Sequence, residues 1–341
     1  MSDILFPAAP QNSAGPSPRR RPGSIRRTST IDTQWPDGRA GHLHMVGRAR
    51  DAMTSASGGP PIVCAEDEFR AQLQWDRTIV SIEATPVRPA IGQLVGSRGG
   101  GHLRKALDEV FPEERLGATP LHLILDDLSG ASLVAGWAWS RWTTEWQRSI
   151  VVAQGGPRPQ GRNMEGVCSG FRPGSSALNP DGTPSPSQSS APVEDLRNPV
   201  DPEGWHCFTD QTGVVGMRRA RRIDVWIDDL IRIDSAFQDS ATDPQGGRTA
   251  VHEYRLAATA DPDTLKLLSV EADPRVLPYR ECPTAAGNVS RLVGSQLPAL
   301  REKVLQDLRG TLGCTHLNDA LRALAEVPRL VQRVNDAKAP V

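Results

Sequence analysis

The chain has 341 residues, 39 of them basic and 40 acidic, and a formal net charge of −1. That balance excludes the broad positive footprint of a general nucleic-acid or anionic-membrane binder. No apolar run approaches the roughly 20 residues of a membrane helix, no basic-then-apolar leader opens the chain, and five scattered cysteines suit a reducing cytoplasm better than a disulfide framework.

Residues 1–24, rich in Pro, Ser, Ala and Arg without periodicity, read as a disordered tail. SIRRTSTIDTQW, from Ser24, reads as a strand entering a fold. Leu103, Ala106, Leu107 and Val110 then mark a helix by their spacing. In WAWSRWTTEW, Trp139, Trp142 and Trp146 share one helical face, with core packing favoured over a ligand-stacking surface. NPDGTPSPSQSSAP has linker composition, so 137–217 is expected to join two halves. GMRRARRIDVWID then repeats the opening signature. TAVHEYRLAAT and TLKLLSVEADPRVL flank the turn ADPD as a hairpin. Leu300, Val304 and Leu308 mark the helix that follows, and 333–341 is a short tail.

The matches between the halves keep one order. Arg26-Arg27 align with Arg218-Arg219 and Ile31-Asp32 with Ile223-Asp224. Asp51 aligns with Asp239, Gly58-Gly59 with Gly246-Gly247, Cys64 with His252, and His122 with His316. A tandem duplication over 25–136 and 218–332 is therefore expected. Its fold class is α+β, each copy a small antiparallel sheet covered by helices on one face. Alternation along MRRARRIDV puts Arg219 and Arg221 on one face and Arg218, Arg222 and Asp224 on the other. Structural or carboxylate-binding roles are expected for these arginines.

The chemistry concentrates in the second copy. Cys282 precedes Pro283 and Cys314 precedes Thr315, each at an expected helix start, where the dipole favours thiolate. With His316 they form a candidate metal set for Zn²⁺ or iron, an iron–sulfur cluster included. His252 and Glu253, on the hairpin, are candidate catalytic residues, Glu253 or His252 serving as general base beside a metal-bound water. Cys168, His206 and Cys207 rank below these.

MRRARRIDV, VHEY, LPYREC and GCTHLNDALRAL together resemble an uncharacterised bacterial family, domain of unknown function 2889. That resemblance implies a shared fold and bacterial origin but no activity. Residues 248–327 also look, more distantly, like the NifU/IscU iron–sulfur scaffold fold. Cys282 matches its first helix-start cysteine, and Cys314 with His316 matches its later histidine–cysteine pair in kind. The scaffold's adjacent pair becomes Cys-Thr-His here, so the likeness implies metal binding rather than cluster assembly.

The first expectation is thus a metal-binding protein, with an enzyme acting on a small molecule as its extension. The alternatives are a metal-free thiol enzyme and a non-enzymatic scaffold or adaptor for a protein partner.

Overall fold

The computed structural model describes residues 9–142, 163–185 and 188–337. Its centre is one antiparallel sheet of nine strands rather than two small ones. The strands are β1 (Ser24–Gln34), β2 (Leu43–Thr54), β3 (Ile62–Leu73), β4 (Ile79–Thr85), β5 (Ala191–Val193), β6 (Gly216–Ile227), β7 (Ile231–Thr242), β8 (Arg248–Ala260) and β9 (Leu267–Val276). Their order is β4-β3-β2-β1-β6-β7-β8-β5, with β9 also on β8. Each half contributes a four-stranded meander, and the meanders fuse through β1 and β6. Ser29 pairs with Arg221 at the middle of that junction. The expected hairpin is β8–β9. β2 and β7 were not expected as strands, because neither alternates apolar and polar residues cleanly.

Seven helices are described: α1 (Gly101–Val110), α2 (Pro112–Leu116), α3 (Pro120–Val134), α4 (Ala138–Arg141), α5 (Leu300–Asp307), α6 (Thr315–Arg322) and α7 (Val327–Asp336). Thr119 caps α3 by accepting the His122 N–H at 3.2 Å, and Pro120 occupies its first turn. α3 packs on β1, β2 and β3 while α7 packs on β6 and β1. α3 is buried on nearly every side from Pro120 to Ser132. The segment after Cys282 is a run of 3-10 turns, Cys282–Leu292, not the α-helix that Pro283 suggested.

The other sheet face is covered too, by irregular chain. Residues 9–23, expected to be a disordered tail, lie along it. Ser17 N–H donates to Leu196 O at 3.0 Å, the Arg20 guanidinium pairs with Asp201 at 2.7 Å, and Trp205 Nε1 donates to Ser17 Oγ at 2.9 Å. His206 is held between Thr28 Oγ1 at 2.8 Å and Thr30 Oγ1 at 2.9 Å. The described part of the expected linker is also tied down. Ser176 donates from its backbone N and its hydroxyl to Glu281. Trp139 is buried against Trp35; Trp146 lies outside the described residues.

With both faces covered, β1 and β6 are each buried over their first ten residues, arginines included. Buried guanidinium requires paired carboxylate, and the sheet supplies it at equivalent places. Arg27 forks onto Asp51 (2.6 and 2.7 Å) and reaches Glu326 at 3.0 Å. Arg219 forks onto Asp239 (2.9 and 3.0 Å) and reaches Asp319 at 3.0 Å. Arg221 takes Asp127 on α3, Arg218 takes Asp32, and Arg222 takes Asp224 and Asp234. The arginine faces follow the expected alternation.

Candidate metal centre

The Arg219–Asp239 fork anchors a histidine pair. Asp239 on β7 stands directly across the ladder from His252 on β8, and both side chains face the helices. His316 enters from above as the second residue of α6. Gly313 sets that entry. A Cβ there would meet Leu308 O at 2.1 Å, so only glycine lets the chain approach before α6 begins. Cys314, the residue at the N-cap, is buried.

His252 Nδ1 lies 3.3 Å from Asp239 Oδ2, and His316 Nε2 lies 3.8 Å from the same oxygen. The imidazoles stack with centroids 3.4 Å apart and planes 17° from parallel. One ligand atom each from Asp239, His252 and His316 falls within 4.8 Å of the others. Both nitrogens are buried and lack a hydrogen-bond partner of good geometry. Burial pushes the His252 imidazole below its usual range, against the pull of Asp239. Burial and the neighbouring His252 push His316 well below it. Burial alone would raise the Asp239 carboxyl, but Arg219, together with the His252 and His316 imidazoles, more than reverses this and holds it low. At neutral pH the site is therefore one carboxylate and two neutral imidazoles, the forms that bind metal.

The remaining candidates sort around this centre. Cys314 Sγ lies 4.0 Å from His316 Nδ1, the nitrogen facing away from Asp239. Cys282 sits beside Gly170, where a Cβ would meet its sulfur at 2.7 Å and that of Cys168 at 3.8 Å. Burial pushes the Cys314 thiol up, burial with Cys314 nearby pushes Cys282 well up, and burial pushes Cys168 up to about 11. The expected thiolate character is thus reversed, because desolvation outweighs the helix dipole at these closed positions.

Glu253 points to the opposite face of β8 from His252, as neighbours on a strand must. There it accepts from Ala14 N–H at 2.6 Å and Gln238 Nε2 at 3.1 Å. It holds the N-terminal segment and does not share a site with His252. Asp239 was not singled out from sequence. Its signal was the alignment with Asp51 together with a hairpin register placing it across from His252.

Around His122, on α3, the chemistry is different. His122 Nδ1 lies 3.6 Å from Glu326, which pairs with Arg27 and Arg301. Among the described residues only the second half gathers three metal-ligating groups.

Residues 217–329 match the family described as Protein of unknown function (DUF2889). That span holds Asp239, His252, Cys282, Cys314 and His316. No curated protein and no solved structure matches the chain. The likeness to the NifU/IscU scaffold accordingly finds no support. No helix among the described residues is long and apolar enough to cross a membrane.

Proposed function

We propose that the protein binds a divalent metal, zinc or iron, on Asp239, His252 and His316. The spacing of the ligand atoms carries the reading. A tetrahedral centre with bonds of about 2.0–2.1 Å has ligand atoms about 3.3 Å apart, and both histidine nitrogens already stand 3.3 and 3.8 Å from Asp239 Oδ2. Cys314 at His316 Nδ1 serves as the outer partner that fixes the ring's tautomer.

Metal analysis of the full chain, purified without chelator and reloaded with zinc or ferrous iron, tests this. About one ion per chain is expected, with loss in His252→Gln and His316→Gln. Failure to load the wild type, or full loading of both variants, sinks the reading.

A thiol set of Cys282 and Cys314 with His316 is the second reading, favoured by the Cys314–His316 contact. Metal lost in Cys282→Ser and Cys314→Ser but kept in His252→Gln would move the ion there. We read the chain as a tandem duplication whose second copy carries the site. The equivalent Arg27–Asp51 and Arg219–Asp239 forks and the common strand order support that history.

A further inference from the structure

On the sheet face away from the histidines, the turn after β7 and the 193–212 segment enclose a cleft of about 280 Å³. Its volume falls just below the ~300–1,000 Å³ typical of small-molecule sites, room for a compact ligand only. Arg248, first residue of β8, projects into it and is only partly exposed. Its guanidinium meets neutral acceptors alone: Ser240 Oγ at 3.0 Å, Ser240 O at 2.7 Å and Gln211 Oε1 at 3.2 Å.

The carboxylates around the cleft are engaged elsewhere or exposed. Asp195 pairs with Arg197, Asp243 with Arg141 and Asp32 with Arg218, while Glu194 and Asp210 are exposed. Arg197 and Arg218 also converge here, each over the Phe208 ring, at 4.9 and 4.2 Å. The wholly buried arginines of β1 and β6 each touch a carboxylate, whereas Arg248, like the half-buried Arg50 and Arg255, touches none. Burial, with Arg218 beside it, pushes the Arg248 guanidinium down to about 9. An anion in the cleft would relieve both costs.

We propose that this cleft binds a compact oxyanion, the carboxylate or phosphate of a small molecule, on the N–H groups of Arg248 left free by Ser240 and Gln211. The planar guanidinium fork matches either group bidentately. The site lies across the sheet from the proposed metal centre and does not depend on it.

Thermal melting of the full chain at constant ionic strength, with phosphate, succinate or chloride, tests the inference. Phosphate or succinate should raise the melting temperature saturably and chloride should not; which of the two acts distinguishes the sources. Arg248→Met should lose the response, while His252→Gln keeps it. Should Arg248→Met not fold, Arg248→Lys, with the charge but not the fork, should bind at least tenfold more weakly by calorimetric titration. A wild type indifferent to both oxyanions, or an Arg248 variant that responds like the wild type, overturns the proposal.

Discussion

Asp51 and Asp239 show what a single carboxylate does here. Each neutralises an arginine that the sheet has removed from water, and in each case a helix-borne acid takes the arginine's other edge. Deleting one charge strands its partner. Asp51→Asn should therefore cost about 3–5 kcal/mol in urea unfolding; a loss under about 1 kcal/mol would show that Glu326 suffices for Arg27. His206 makes a second prediction. Burial, with Arg50 and Arg218 nearby, holds its imidazole down to about 3 against an ordinary 6.5. Below pH 6.5 the unfolded chain takes up a proton that the folded one refuses. The stability is fully present above that pH and falls as pH drops, by about 1.4 kcal/mol per unit. His252 and His316 act with the same sign. Between about pH 5.5 and 4, His206→Gln should show a slope shallower by about one proton. Equal slopes would mean that His206 titrates normally.

At the scale of elements, α3 is the piece on which the sheet and the second half's helices converge. Its adjacent acids diverge: Asp127 points to the sheet and Arg221, while Asp126 takes Arg301 at 2.6 Å and Arg322 at 2.8 Å from the other half. α3 can sit this low only because Gly130 lacks a side chain. A Cβ there would meet Arg219 Nη1 at 2.0 Å and Asp319 Oδ2 at 2.5 Å. The arginine cannot swing aside, since three carboxylates fix it. Gly130→Ala should destabilise by about 1–3 kcal/mol despite alanine's better helix propensity. A stabilised variant would show that α3 lifts off without penalty.

Across the whole molecule, the β1–β6 junction makes the halves interdependent. Arg218 finds Asp32, Arg221 finds Asp127 and Arg26 finds Asp224 only across it. Residues 213–337 alone would expose the β6 edge and leave Arg218 and Arg221 without these partners, so that fragment should fail to fold as a monomer. A cut between 176 and 192 in the full chain should leave the halves associated through the same pairs. A soluble, cooperatively melting fragment of 213–337 would contradict this account.

Short-range pattern was enough for several features. The arginine faces follow from alternation, the β8–β9 hairpin from its turn residues, and α1 and α5 from leucine spacing. Each depends on neighbours a few residues apart. The fusion of two meanders into one sheet was not legible, since strand partnership between β1 and β6 joins residues some 190 apart. Nor was the cover that residues 9–23 give the second face, because proline-rich chain carries no periodicity to announce its packing. The centre shows the same division. His316 and His252 stood out as residue types, but Asp239 became their companion through ladder register. The thiols' expected activation gave way to burial, which is fixed by everything packed around a residue rather than by the residues beside it in the chain.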